Sequence, residues 1–282
     1  MAVTALILNP SHRRAARAEA ALRRLAQVRT YRTTPDSPGT EQTRQAIADG
    51  CEAVVAAGGD GTVRLVAGAL AGTGIPLGVL PTGTACIYAR NLRLPRGLAA
   101  TKRAMFGRPR AADIGWASID DAPPTPFLVA CGMGRDAEAI SRVSAQLKRR
   151  FGWVAYAIAG FRTMPRKPLN VAVNGKPVAA WSVLVGNVGR VPFVQLFPGS
   201  RIDDAQLHGV RIWPERIGHW LRIAARCLLR DPRPTERMER WQTTEVTVQA
   251  SKPTLVHIDG DRAIPARTLR LRLQPGAIVV RC

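Results

Sequence analysis

The sequence predicts an α/β fold in two parts: an N-terminal doubly wound, mostly parallel α/β domain and a C-terminal, mostly antiparallel β-rich domain. Three observations carry this. In the first third, short continuous apolar runs alternate with segments of helical period, as in strands buried on both faces beneath crossover helices. Near Asp113-Ile114-Gly115 that alternation ends and strand signals dominate. Beyond it, Asn174-Gly175 joins two strand segments in the manner of a tight antiparallel hairpin. The boundary is expected within 107–116, giving domains 1–112 and 113–282, with room for the extreme C-terminus to pack back on the first.

Taken in order, residues 3–8 form an apolar strand stopped by Asn9-Pro10. Residues 13–28 are rich in helix formers, with Ala18, Leu22, Leu25 and Ala26 at helical spacing, and 41–48 read as a second helix. Residues 53–57 are a buried strand that runs straight into Gly58-Gly59-Asp60-Gly61-Thr62, after which 63–70 suit a helix packed on the sheet. Another buried strand, 75–80, closes at Pro81-Thr82-Gly83-Thr84, with a helix expected over 85–92. Strands are then expected at 127–130, 169–173, 181–185, 208–213, 245–248, 255–258 and 269–273, interrupted by helices at 137–161 and 217–229. There is no internal repeat.

At 282 residues and 46% apolar composition, the chain can build a proper core for two domains. Its start, MAVTALILNP, reads as a strand rather than a secretory signal, since it lacks a basic lead-in and a cleavage site. No stretch reaches the roughly 18 apolar residues that span a bilayer. Five cysteines lie far apart without a CxxC pair, which argues against a disulfide framework or zinc site and for a reducing, cytoplasmic setting. The formal net charge of +21 favours anionic partners: nucleotides, nucleic acid or an anionic membrane face. Nearly all of it is arginine, a skew that a GC-rich genome also produces, so the charge alone decides nothing. Nucleic acid is set aside because no base-reading motif accompanies the charge. His12, His208, His219 and His257 show no metal-ligand spacing and are assigned no role.

A strand ending in Gly-Gly-Asp-Gly-Thr and leading into a helix is suited to phosphate. Glycines allow successive N–H groups to face one anion and let it approach closely. The helix adds its positive N-terminal end. Asp60 in such a loop would repel phosphate unless a cation intervened, which implies Mg²⁺ shared with the nucleotide. The loop is neither a Walker loop nor a Rossmann fingerprint. The turn carrying Gly83 and Thr84, and Asn9-Pro10-Ser11 after the first strand, both follow strands. In a doubly wound sheet such loops converge on the same phosphate chain.

AAGGDGTVRLVAGAL, then GVLPTGTACIYARNL, then a DIG tripeptide, resemble the catalytic domain of the diacylglycerol kinase and sphingosine kinase superfamily, including its bacterial soluble lipid kinases. FLVACGMGRDAEAI, FPGSRIDDAQLHGVRI and HIDGD continue the resemblance in family order over nearly the whole chain. It implies an ATP-dependent kinase that transfers the γ-phosphate to a lipid hydroxyl in the cleft between the two domains. Gly58, Gly59, Asp60, Gly61 and Thr62 would hold ATP and Mg²⁺, helped by Asn9, Gly83 and Thr84. Asp261 would be the base that accepts the hydroxyl proton, Asp259 a supporting carboxylate near nucleotide or metal, and Asp204 an accessory metal ligand.

The chain departs from the family pattern in four places. Cys86 stands where the family has Asn after Gly-Thr-x, Asp261 replaces a glutamate, His12 replaces a glycine, and Ala205 follows the acidic pair Asp203-Asp204 where glycine is usual. These leave two alternatives: a weak or silent member binding nucleotide or anionic lipid, and a kinase for a soluble acceptor such as NAD. Residues 146–167, basic at both ends and aromatic-apolar between, suit peripheral contact with the inner face of an anionic membrane, or packing on the second domain's sheet. Arg222, Arg226, Arg230 and Arg233 add a basic face.

Overall fold

The computed structural model describes residues 3–95, 97–141, 166–191, 194–261 and 263–282. The expected membrane segment, 146–167, lies almost wholly outside them, as does most of the helix expected over 137–161. The chain divides into two units, Met1–Ile114 with Pro275–Cys282, and Gly115–Gln274.

In the first unit, β1 (Thr4–Leu8), β2 (Val28–Arg32), β3 (Ala53–Gly58) and β4 (Pro76–Pro81) form a parallel sheet in the order β2-β1-β3-β4. The end of the last strand joins its edge, with Val279 and Val280 opposite Pro76 and Leu77. The helices are α1 (Ala15–Arg23), α2 (Thr40–Ala48), α3 (Asp60–Leu70), α4 (Ile87–Asn91) and α5 (Leu98–Phe106). Every residue of β1 and β3 is buried, because helices cover both sides. Leu6, Leu8, Val55 and Ala57 pack against Ala18 and Leu22 of α1 and Ala100 and Met105 of α5. Residues of the other parity face α2 and α3, which pack on each other and on the sheet. This is the doubly wound, parallel architecture that the apolar runs predicted.

Two elements of this unit were not anticipated. The helix expected over 13–28 ends at Arg23, and Val28-Arg29-Thr30-Tyr31-Arg32 becomes an edge strand with β1 as its neighbour. Its polar alternation suits a strand that is wet on its open side. Helix α5 was also unforeseen. Its buried residues are mostly small, Ala100, Thr101 and Ala104, and leave a faint apolar period.

In the second unit the pairing is antiparallel. β5 (Pro109–Ile119) and β6 (Thr125–Phe127) pair; β7 (Ala130–Gly134) leads into α6 (Arg135–Ser141). β8 (Leu169–Val173) and β9 (Lys176–Ala180) are the expected hairpin, with Asn174 at φ 49 and Gly175 at φ 78. Then come β10 (Ser182–Gly186), a short ribbon of β11 (Arg190–Val191) and β12 (Val194–Gln195), and β13 (Leu207–Ile212). Helix α7 (Ile217–Leu228), β14 (Met238–Thr243), β15 (Glu245–Ile258) and β16 (Ile264–Arg281) complete the chain. The order β14-β13-β10-β7-β15-β16 buries a core that includes Phe127, Met133, Val185, Leu207, Val256 and Leu271. The strands expected at 245–248 and 255–258 are one, β15, which absorbs Ser251-Lys252-Pro253 at a register shift between Gln249 and Thr254. The strand expected at 127–130 is instead a corner between β6 and β7.

Candidate functional site

In the first unit the carboxyl end of β3 and the turn after β4 are stitched at one atom. The Gly58 carbonyl accepts the N–H groups of Thr82 and Gly83 at 3.1 and 3.2 Å. Asn9 is tied to the same corner: its N–H donates to the Ala57 carbonyl at 3.0 Å, and its Nδ2 lies 3.5 Å from Thr62 Oγ1. The opening amides of α3 have no acceptor within the helix, so Gly59 to Thr62 present a helix N-terminus at the sheet's carboxyl edge. Asn9, Gly58, Gly59, Asp60, Gly61, Thr62 and Gly83 are thus brought together, and Thr84 follows on the exposed side of the second turn.

Two glycines in this corner have separable roles. A Cβ on Gly83 would lie 2.6 Å from the Gly59 Cα, a backbone clash that flexible side chains cannot relieve. A Cβ on Gly59 would meet nothing nearer than His12 Nε2, at 3.7 Å. Gly83→Ala is therefore expected to destabilise the first unit by roughly 1–3 kcal/mol. Gly59→Ala should keep its stability and, at the nucleotide site that the family resemblance implies, lower ATP affinity, because the methyl occupies space beside the N-terminus of α3. Thermal unfolding and ATP binding, measured on both variants, separate the two effects.

The Asp60 carboxylate is tied to the second glycine turn. Its Oδ2 accepts the Ile87 N–H and its Oδ1 the Tyr88 N–H, both at 3.0 Å, so the carboxylate caps α4 and locks the two glycine turns together. That explains why the helix expected from residue 85 starts at Ile87. The preceding residue, Cys86, sits in the left-handed region at φ 45 and ψ 53, and its Sγ lies 3.3 Å from the Gly83 carbonyl. Burial, then the charge of Asp60, pushes the Cys86 thiol up to about 11, so it stays protonated at neutral pH. Burial also lowers the pKa of His12, so its imidazole is neutral beside Gly59. Histidine at this position was read only as a lost glycine.

In the second unit Asp259 and Asp261 share one turn with different surroundings. Asp259 is buried, in the left-handed region at φ 50. Its Oδ2 accepts the Leu128 N–H at 2.9 Å, and its Oδ1 accepts Val129 and Ala130 at 2.8 and 2.9 Å. Its own N–H donates to the Ala130 carbonyl at 2.8 Å. This carboxylate clasps the corner between β6 and β7. Asp261 is half-buried, and its N–H donates to the Ile258 carbonyl at 2.9 Å. Asp204 lies in a separate turn, accepting the Arg201 and Gln206 N–H groups and pairing with His208 Nε2 at 2.8 Å. Among the described residues no group of three or more His, Cys, Asp or Glu side chains could hold a metal.

Sequence reasoning missed one constellation here. His257 Nδ1 accepts the Gly260 N–H at 3.4 Å, which leaves Nε2–H to donate to Asp136 Oδ2 at 2.8 Å. Ser182 Oγ donates to the other oxygen of Asp136. A Cβ on Gly132 would fall 2.3 Å from Asp136 Oδ2 and 2.5 Å from His257 Nε2, so only glycine lets this pair form. The pair braces the turn that carries Asp261. Its partners lie 121 residues apart, beyond any spacing argument.

The family model of the diacylglycerol kinase catalytic domain matches residues 5–117. A protein of Klebsiella pneumoniae named as a probable YegS-like lipid kinase is 31% identical over 237 residues, covering 80% of this chain and 76% of that one. The diacylglycerol kinase of Bacillus subtilis is 26% identical over 247 residues, covering 83% and 79%. An uncharacterized protein of Synechocystis is 26% identical, and the match spans 53% of its length, so this chain covers about half of that relative. The crystal structure of a diacylglycerol kinase from Bacillus anthracis superposes with a TM-score of 0.70 at 17% identity, over 99% of this chain and 96% of that one; at this identity the likeness is one of fold.

Proposed function

The chain belongs to the lipid kinase family of diacylglycerol kinases and YegS-like proteins, and from that premise we propose that it moves the γ-phosphate of ATP to the hydroxyl of a lipid. The observation that carries the reading is the corner at Gly58, whose carbonyl holds the second glycine turn against the N-terminus of α3. Gly58 to Thr62, with Asn9, Gly83 and Thr84, receive the phosphates. Asp60 is the carboxylate that would share Mg²⁺ with the nucleotide. The ion needs only one or two protein carboxylates, its remaining ligands being phosphates and waters; when bound, it neutralises phosphate charge.

The lipid hydroxyl oxygen attacks the γ-phosphorus, the bond to the β–γ bridging oxygen breaks, and the hydroxyl proton passes to the Asp261 carboxylate. The products are a lipid phosphate and ADP. Because such transfer depends on position and charge rather than on covalent chemistry, fixed turns are what the protein has to supply. The test is transfer of label from γ-labelled ATP to a panel of detergent-dispersed lipids, with NAD as soluble acceptor. Label in NAD alone would replace the lipid by a soluble acceptor.

A second reading, nucleotide binding with weak turnover, is favoured by Cys86. Asparagine tolerates the left-handed region better than cysteine does, so Cys86→Asn is expected to stabilise the first unit by roughly 0.5–1 kcal/mol and to raise turnover. The variant also has a pH signature. With the folded thiol near 11 and its ordinary value at 9.0, the unfolded chain loses the proton first, so the wild type loses stability as pH rises from 9 towards 11. Urea unfolding across that range should show the decline shrink in Cys86→Asn. ATP binding without product in both proteins would establish the weak reading.

A further inference from the structure

Helix α7 is held by one face and bare on the other. Ile223 and Cys227 are buried, and Trp220 packs edge-on against the buried Trp181, ring centroids 4.8 Å apart at 84°. On another face Ile217 and Leu221 are each 65% exposed and Leu228 is 69% exposed, with Leu229 beyond the end at 77%. The spacing i, i+4, i+11 puts the first three on one stripe about 16 Å long. Exposed Ala224 falls on the same line. A surface helix ordinarily turns charge to water along its outer face; this one turns leucine.

Arginine flanks the stripe. Residues 216–230 contain Arg216, Arg222, Arg226 and Arg230 and no acidic residue. Arg222 reaches Glu236 at 3.3 Å with both side chains largely exposed, and Arg226 pairs with Asp231. Screened exposed pairs of the first kind exchange readily for other anions. His219 Nδ1 accepts the Glu215 and Arg216 N–H groups, and the Asp231 N–H returns to the Arg226 carbonyl, so both ends of the helix are finished and the stripe is a formed surface.

We propose that this face of α7 docks on an anionic lipid bilayer, with Ile217, Leu221 and Leu228 among the upper acyl chains and the arginines against headgroup phosphates. Charge selects the occupant. A second copy of a chain carrying +21 would bring arginine against arginine, whereas an anionic surface offers both the apolar layer and the opposite charge. No helix among the described residues is long and apolar enough to cross a membrane, so contact through α7 would be interfacial. The inference deepens the lipid-kinase reading by naming the face that brings the protein to its substrate. Its measurement requires no turnover.

The experiment is co-sedimentation of the whole protein with vesicles of phosphatidylcholine alone and of phosphatidylcholine and phosphatidylglycerol in equal parts. The wild type is expected to sediment with the anionic vesicles. Leu221→Glu with Leu228→Glu should weaken that binding by about 100-fold, since each leucine leaves the acyl region for a charge. Arg222→Glu with Arg230→Glu should weaken it by about 10-fold or more and remove the preference for phosphatidylglycerol. Both variants change exposed positions and should keep their thermal midpoints and their activity on detergent-dispersed lipid. Wild-type binding in both variants would overturn the proposal, as would equal wild-type binding to neutral vesicles. A concentration-dependent dimer in sedimentation velocity that the leucine variant abolishes would assign the face to a second copy instead. Vesicle binding without any lipid phosphorylation would overturn the kinase reading and leave the docking face standing.

Discussion

Asp259→Ala is expected to cost the second unit about 3–5 kcal/mol, more than any other single substitution considered for this chain. Three backbone N–H groups, of Leu128, Val129 and Ala130, end on this one buried carboxylate. Removing it leaves all three without that acceptor in a region where water does not reach them. Alanine would also have to adopt the left-handed backbone that Asp259 holds at φ 50, which aspartate and asparagine tolerate better. Asp259→Asn should fall between. Its oxygen can still accept Val129 and Ala130, but its amide nitrogen faces the Leu128 N–H, donor against donor, for a loss of about 1–3 kcal/mol. Urea unfolding is the measurement, and the loss should fall on the transition that reports the second unit. A domain totals only about 5–15 kcal/mol, so the alanine variant is expected to lose a large share of the second unit's stability. An alanine variant as stable as wild type would show that the clasp is dispensable.

Such a role could not be read from HIDGD. The motif marks a turn and suggests two carboxylates near the chemistry, whereas the acceptor role of the first depends on a corner some 130 residues earlier. The same distance hid Asp136 and His257. What the sequence did carry was local: buried strands as continuous apolar runs, the Asn174-Gly175 hairpin, and the glycine loop at the end of β3. Local propensity failed where tertiary contacts took over. The arginine and threonine of β2 gave no apolar run because one side of that strand is wet. The start of α4 was fixed by Asp60, 27 residues away, rather than by its own cap. Ser251-Lys252-Pro253 read as a break because a proline inside a strand normally is one, and the bulge in β15 accommodates it. In the first unit strand–turn–helix chemistry is contiguous, so its candidate residues were found together. In the second unit, supporting groups come from strands far apart in sequence.

Asp261→Asn tests the other carboxylate of the turn, and its expected result is a turnover lower by about 10²–10⁴-fold. The backbone N–H of Asp261 donates to the Ile258 carbonyl at 2.9 Å, and asparagine keeps that bond. Asparagine is nearly the same size but cannot take up a proton at neutral pH, so the substitution removes the proton acceptor proposed above. ATP affinity should stay at the wild-type level, because the corner proposed to receive the phosphates belongs to the other unit. The turn itself is held by His257, whose Nδ1 takes the Gly260 N–H while Nε2–H rests on Asp136. His257→Leu should therefore lower turnover less than Asp261→Asn and shift the KM for lipid as well, the mark of a group that positions rather than reacts. Asp261→Glu supplies the control. It lengthens the side chain by one methylene and restores the residue type that the family resemblance leads one to expect, so turnover should stay within about 10-fold of wild type. Full activity in Asp261→Asn would place the base elsewhere, and equal losses in the Asn and Glu variants would mean that shape, not proton transfer, had been disturbed.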